Sequence, residues 1–246
     1  MKRILLTVLA VTTLAACTKQ ITPEERISQI DTYFKEQPMT YADALAKIDA
    51  DRRLDFLTLK LSKDLKAKDI WSVGEDGYAS VVGELRGKNH GKDGDISIVS
   101  APVDDPVACA AVLEAMRAFK KIGIQHKNNI RVLFYGQGKD DEDRTGLALV
   151  SSEFSGENEL ISFATDVNSM GLYPKRTFVL EEQPMFVEKM VKVIPPYIAP
   201  LGPCEVKQGV FPPAWDLRAP AYRYSVEEGT LARDAAQLTA FLFLVN

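Results

Sequence analysis

Hydrophobic and polar positions follow two different periods along this chain, and the change falls near residue 78. Before about residue 70 the sequence is highly charged, and its leucines recur at three- and four-residue spacing. This spacing predicts helices with one apolar stripe, formed by Leu54, Leu57, Leu61 and Leu65. The run Thr22-Pro23-Glu24-Glu25 is typical of a helix start, because it combines a capping hydroxyl, an early proline and acids near the positive end of the helix dipole.

From residue 78 onward, short strand-like runs alternate with helical patterns. The predicted strands cover 78–86, 96–101, 130–135, 160–167, 177–180 and 221–224. The first two are predicted to pair as a hairpin across the polar turn 87–94. Helices are predicted from Asp105-Pro106 to Gly123, near 147–154, at 184–193 and at 230–245, with a proline-rich connection at 195–203. This alternation predicts an α/β fold, namely a three-layer sandwich with a mixed, mainly parallel central sheet.

The first 17 residues indicate the cellular localisation of the protein. Lys2 and Arg3 precede an apolar run from Ile4 to Leu14, which is shorter than the roughly 20 residues that cross a bilayer and is typical of a secretory signal peptide. Leu-Ala-Ala-Cys at 14–17 resembles the bacterial lipobox, in which the cysteine is acylated and the chain is cut before it. The alternative, a buried N-terminal helix, is disfavoured because Thr18-Lys19-Gln20 and Pro23 end the apolar run directly.

Three segments follow from this interpretation. Residues 1–16 are predicted to be a signal peptide, 17–75 a tether and helical segment lipidated at Cys17 with palmitate-type chains, and 76–246 an α/β domain. The expected location is the bacterial cell envelope. Thr18, which follows Cys17, is not the acidic residue associated with retention in the inner membrane, so we expect an outer-membrane anchor with the domain facing the periplasm.

Charge and cysteine content narrow the range of partners. The net charge of −4 becomes −6 once residues 1–16, which include Lys2 and Arg3, are removed, and this balance argues against nucleic acid as a partner. Cys109 and Cys204 remain, and the sequence leaves open whether they pair. Cys109 lies within a helical apolar pattern and is predicted to be a small buried hydrophobe.

Segments between residues 78 and 245 also follow a known family pattern, carried by the order and spacing of several motifs together. The clearest runs are 81–87, 96–101, 105–117, 129–136 and 146–154, with looser matches at 168–171 and 219–221. Together they resemble the zinc-dependent aminopeptidases of peptidase family M28, whose relatives include glutaminyl cyclases. The resemblance implies an aminopeptidase-like fold and a zinc site that hydrolyses N-terminal peptide bonds. Such a site needs imidazole and carboxylate ligands and a carboxylate base.

The positions that the resemblance assigns to zinc hold other residues in this chain. Pro102 stands where the family's first histidine is expected, and Asp104 directly precedes Asp105, which matches the aspartate shared between the metal ions. The family's Glu-Glu pair becomes Gly138-Lys139 after Gln137, its later aspartate falls on Asn168 with Asp166 two residues before, and its C-terminal histidine falls on Phe211. The acids at 140–143 are shifted replacements or, the favoured interpretation, a solvated loop.

Only His90 and His126 occur in the whole chain, both far in sequence from the expected ligand positions. Because affinity falls with each lost ligand, we predict that the family's zinc is lost and that Asp105 is vestigial. The vestigial cleft would be lined by Asp104, Asp105, Gln137, Gly138, Asp166, Asn168 and Phe211, together with Trp215 nearby. The favoured function is a non-catalytic binding or scaffold lipoprotein, attached to the membrane by its lipid, whose cleft is either filled or open to a peptide or an envelope protein. The alternative is a divergent zinc aminopeptidase with relocated ligands.

Overall fold

The computed structural model describes residues 21–73, 79–88, 96–136, 161–169, 177–181, 184–208 and 221–246. Several predicted features lie outside these residues, namely Cys17, the polar turn with His90, the acids at 140–143 and the helix near 147–154. The same holds for the cleft positions Gln137, Gly138, Phe211 and Trp215.

Six α-helices and eight strands make up the described part of the chain. The helices are α1 (Pro23–Glu36), α2 (Thr40–Leu45), α3 (Ala50–Lys63), α4 (Pro106–Ile122), α5 (Pro184–Ile198) and α6 (Leu231–Val245). The strands are β1 (Ile70–Val73), β2 (Ser80–Leu85), β3 (Ile96–Pro102), β4 (Asn129–Tyr135), β5 (Ile161–Asn168), β6 (Thr177–Glu181), β7 (Glu205–Gln208) and β8 (Ala221–Ser225). None of the described helices is long and apolar enough to cross a membrane.

The helix starts predicted from the sequence are confirmed. At α1 the Glu25 backbone N–H donates to the Thr22 hydroxyl, and the Thr22 N–H donates to the Glu25 carboxylate, which is a complete capping box. Asp105 caps α4, and Gly123 ends this helix in the left-handed conformation, with a φ of 69°.

The eight strands form one mixed sheet in the order β1-β2-β4-β3-β5-β8-β6-β7. Strands β4, β3, β5 and β8 are mutually parallel. Strand β1 pairs antiparallel with β2, β2 with β4, and β6 with β8, while β6 and β7 are parallel. The predicted hairpin between the first two strands is wrong, because β4 lies between β2 and β3. Strand β3 is buried along its whole length, which suits a central strand with a parallel neighbour on each side better than one arm of an edge hairpin. The antiparallel edge pair is instead β1 with β2.

Both faces of this sheet are buried, as a three-layer α/β sandwich requires. Register and strand alternation place Val99, Val132 and Phe163 on one face, where they join one hydrophobic cluster with residues of α1 to α6. On the opposite face Ile98 and Leu133 are no more than 2% exposed. The predicted fold class is therefore confirmed.

Two further differences from the sequence prediction have local causes. Helix α5 continues through Pro195 and Pro196 to Ile198, where a connection was predicted. Ile194 and Ile198, one turn apart, are both fully buried, so burial of this stripe outweighs the backbone N–H groups that the prolines lack. Strands β1 and β7 were not predicted, and each has only four residues, too few to show a clear period.

The N-terminal helices pack against the α/β core through a buried acid. The Glu114 carboxylate on α4 is 0% exposed, accepts the Tyr41 N–H at the start of α2 (2.8 Å) and pairs with Arg117 (2.6 Å). Burial raises the pKa of Glu114, and the Tyr41 hydrogen bond and Arg117 oppose that rise. Residues of α1, α2 and α3 belong to the same hydrophobic cluster as α4 and α6.

We expect Gly87→Ala to destabilise the fold, because a Cβ there would overlap the backbone carbonyl of Asn128. A backbone neighbour cannot rotate away, so the loss should be about 2 kcal/mol or more in urea unfolding. Gly229→Ala is the matched control, since nothing lies within 4 Å of its added Cβ. Equal stabilities of the two variants would contradict the predicted contact.

Candidate functional site

The carboxyl ends of four parallel strands meet at one edge of the sheet. In open α/β sheets this edge is where ligands bind. It brings together Asp104 and Asp105 after β3, Asp166 and Asn168 at the end of β5, and Tyr135 at the end of β4. The sequence prediction grouped four of these residues, Tyr135 being the exception.

Both oxygens of the Asp105 carboxylate are engaged by the protein itself. Oδ1 accepts the Ala108 N–H of α4 at 2.9 Å and the Ser169 hydroxyl at 2.6 Å, and Oδ2 accepts the Ser169 N–H at 2.6 Å. The side chain is 1% exposed. Asp105 therefore caps α4 and ties its first turn to the residue that follows β5.

Asp166 forms a second buried carboxyl centre on this edge. Oδ1 accepts the Ser100 hydroxyl at 2.7 Å, and Oδ2 lies 3.4 Å from the Tyr135 hydroxyl. Burial raises the pKa of Asp166 to about 7, while the bonds from Ser100 and Tyr135 and the charge of Arg223 act in the opposite direction. The carboxyl titrates in the range suited to a general base, but it is 0% exposed, so a substrate on the surface does not reach it.

Arg53 on α3 is a third member of this edge, and the sequence analysis missed it. Its guanidinium Nη1 donates to the Val103 carbonyl at 3.0 Å, and the side chain is 9% exposed. Burial raises the pKa of the Cys109 thiol. The charges of Asp105 and Asp104 raise this pKa further, whereas the charge of Arg53 lowers it. The available signal was the four-residue spacing from Arg53 to Leu57 and Leu61, the two buried residues of the same helix face.

No family model matches this sequence, and no curated protein matches it. Solved structures do match. LapA aminopeptidase from Legionella pneumophila aligns with 99% of this chain and 79% of its own length, with a TM-score of 0.61 at 13% identity. LapB from the same organism aligns with 92% of this chain and 75% of its own, with a TM-score of 0.54 at 13% identity. A peptidase M28 precursor from Shewanella amazonensis aligns with 68% of this chain at 16% identity and a TM-score of 0.53, and this chain spans only 44% of its length.

This chain has the fold of the M28 aminopeptidases. Identities of 13–16% show the fold alone, so the activity has to be argued from the side chains of the aminopeptidase-like domain.

The predicted positions divide into those that meet at the edge and those that do not. Asp105, Asp166 and Asn168 are buried there, whereas Asp104 is exposed. His126 lies at the opposite edge, between the end of α4 and the start of β4, and its Nδ1 is 2.7 Å from the Asn128 carbonyl oxygen. Cys109 is fully buried, as predicted, and no disulfide joins it to Cys204.

The described residues do not fit the zinc site of the fold family. Pro102 ends β3 where a histidine is expected, and the proline side chain has no donor atom for a metal. Three hydrogen bonds already occupy the Asp105 carboxylate, and two hydroxyls lie against Asp166. Among the described residues, no three His, Cys, Asp or Glu side chains are grouped to hold a metal ion.

The raised pKa of Asp166 predicts a pH-dependent stability. In the unfolded chain the carboxyl loses its proton near its ordinary value of 3.8, but in the fold it does so near 7. Between about pH 4 and about pH 7 the folded state therefore holds the proton more tightly, and the free energy of unfolding falls as pH rises through this window. The decrease is at most about 4 kcal/mol.

Asp166→Asn cannot ionise and should lack this decrease. Urea unfolding gives the free energy of unfolding of the variant and the wild type at about pH 4 and about pH 8. The contribution of Asp166 is the amount by which the difference between the two proteins changes from one pH to the other. Parallel pH profiles for the variant and the wild type would contradict the assignment.

Proposed function

We propose that this protein is a bacterial envelope lipoprotein, anchored through Cys17, whose aminopeptidase-like domain is a non-catalytic binding or scaffold module. One observation carries the proposal: Asp105, at the position of the shared metal ligand, is used as a helix cap and a tie to Ser169. A carboxylate bridging two metal ions needs its oxygens directed into the cleft. Here they are directed into the protein.

The donor chemistry of the chain supports the same conclusion. A catalytic zinc site commonly takes imidazole nitrogens among its ligands, and this sequence contains two histidines. One of them, His126, lies at the opposite edge of the sheet, and Pro102 stands where the family's first histidine is expected. The charge of Arg53 beside Val103 further disfavours a cation at this edge.

The proposed binding surface is the cleft that the family resemblance predicts at this edge of the sheet. A cleft that has exchanged metal ligands for Pro102 and Phe211 is drier than the family's active site and suits a peptide or an apolar side chain of an envelope protein. A filled cleft is the favoured alternative to an open one, and in that case the domain acts as a scaffold through its outer surface. Its acidic balance makes nucleic acid a poor partner.

One observation favours a second candidate, a divergent zinc aminopeptidase with relocated ligands. Asp166 is a carboxyl with a pKa near neutrality at the carboxyl edge of the sheet, where perturbed pKa values are typical of functional sites. This candidate needs the acids at 140–142 as new ligands and an opening that exposes Asp166.

Substitutions at Asp105 separate a structural tie from a metal ligand. Asp105→Ala should lower the free energy of unfolding by on the order of 3 kcal/mol, because it removes the cap and leaves the Ser169 donors unsatisfied. Asp105→Asn should lose less, since an amide oxygen still accepts one of the backbone N–H groups. Thermal or urea unfolding gives the ranking, and zinc titration by calorimetry with a peptide-hydrolysis assay should show neither stoichiometric zinc nor turnover in any of the three proteins.

Stoichiometric zinc binding with aminopeptidase turnover that both substitutions abolish would overturn the non-catalytic proposal and support the relocated-ligand enzyme. Turnover that survives both substitutions would also exclude a purely structural domain.

Cys17→Ala should abolish acylation and release the protein from the membrane fraction, because it removes the only acceptor in the lipobox-like run. Cys204→Ser is the matched control, since it removes a partly exposed cysteine elsewhere in the chain. Labelling with a fatty-acid analogue and membrane fractionation measure the difference. Thr18→Asp should move the anchored protein from the outer to the inner membrane fraction, and unchanged fractionation of both Cys17→Ala and Thr18→Asp would contradict the anchor.

A further inference from the structure

A cavity lies at the other end of α4, away from the carboxyl edge of the sheet. Its volume is about 610 Å³, and its walls come from α2, the end of α3 and the last turns of α4. Helix α4 runs from the carboxyl edge, where Asp105 caps it, to the opposite edge near His126. The cavity is therefore separate from the aminopeptidase-like cleft.

The cavity concentrates positive charge in an acidic protein. Five cations line it, namely Lys60, Lys66, Arg117, Lys120 and Lys121, with Asp64 as the acid among its lining residues. The chain as a whole carries a net charge of −4. Lysines from two separate segments of the chain, after α3 and at the end of α4, meet at this one site.

The arginine and two of the lysines already have partners. Arg117 pairs with Glu114 (2.6 Å) and donates to the Pro38 carbonyl (2.7 Å) and the Thr40 hydroxyl (2.9 Å). Lys60 pairs with the Asp64 carboxylate at 3.1 Å, and Lys120 donates to the Asp64 carbonyl at 2.6 Å.

Two exposed lysines are left without a counter-charge. Lys66 and Lys121 make no ion pair within the described part of the chain. Their charges also reach Lys120, whose pKa is lowered first by burial and then by Lys66 and Lys121. The ammonium groups therefore repel one another, and an anion between them would relieve the repulsion.

The backbone conformation of Lys66 is a further observation at the same site. Lys66 lies two residues beyond Asp64, the C-cap of α3, and has a φ of 54° in the left-handed region, and the next residue, Ala67, donates its N–H to the Leu61 carbonyl. Glycine is the usual residue at such a position, because any side chain there costs conformational energy. The chain instead places a lysine here, at the wall of the cavity.

We propose that this cavity binds a phosphate group, carried either by a lipid headgroup or by a soluble molecule. The donors left for a ligand are lysine ammonium groups, which act as point charges and suit an anion with several equivalent oxygens. A carboxylate ligand is bound best by the planar guanidinium of an arginine. The guanidinium of Arg117 already contacts Glu114, Pro38 and Thr40, so a carboxylate is the less suitable ligand. The volume exceeds that of one phosphate, so the ligand extends beyond the charged group over Tyr41 and Ala44.

The first test uses the full mature chain in phosphatidylcholine nanodiscs and inorganic pyrophosphate as the soluble probe. Calorimetry at low salt should show saturable binding that weakens as salt is raised. The double variant Lys66→Ser with Lys121→Ser should lose at least about tenfold in affinity. Lys35→Ser with Lys127→Ser is the matched control, because it removes the same charge from exposed lysines outside the cavity and should bind as the wild type does.

The second test distinguishes the source of the phosphate. Amine-reactive labelling followed by mass spectrometry measures the protection of Lys66 and Lys121 relative to Lys35. Protection by pyrophosphate assigns a soluble ligand, and protection only in nanodiscs that contain phosphatidic acid assigns a lipid headgroup. The proposal is overturned if neither probe protects these lysines, or if the control pair loses affinity as much as the cavity pair.

Discussion

The hydrogen bonds of the Asp105 carboxylate are the contact on which the rest of the site depends. They fix where α4 begins, and they hold the first turn of that helix against the end of β5 through Ser169. A carboxylate placed this way stabilises the fold at the edge where this architecture normally performs chemistry. The same residue cannot turn its oxygens outward to a metal ion without giving up the cap of a 17-residue helix.

Two other polar groups at this edge also have partners from the protein itself. Ser100 and Tyr135 surround Asp166, and Arg53 reaches across from α3 to the Val103 carbonyl. Buried polar groups are tolerated when their partners come from the protein itself. Among the described residues, the Asp105 and Asp166 carboxyl groups at these strand ends are therefore engaged by the protein itself.

Much of this could be predicted from the sequence, because local signals were strong where they were used. The caps at Thr22 and Asp105 and the apolar strands from β3 to β5 gave the element order and the fold class. Strand neighbours were harder, because the sequence shows that β2 and β3 are consecutive but not that β4 inserts between them. The partners of Asp166 were also hidden, since Ser100 and Tyr135 come from different strands and meet it only through the parallel register. Arg53 was missed because charge in a helical stripe is usually assigned to the solvent.

The short distance along the chain between Cys17 and α1 has a mechanical consequence. Pro23 stands six positions after the proposed acylated cysteine, a reach of roughly 20 Å when fully extended. Helix α1 is held against the core by Ile27 and Ile30, which are almost fully buried. The linker between Cys17 and this helix therefore cannot lengthen by detachment of α1 from the domain. In the proposed lipoprotein, so short a linker would keep the domain within a thin layer next to the bilayer, and a binding partner would have to lie within that layer.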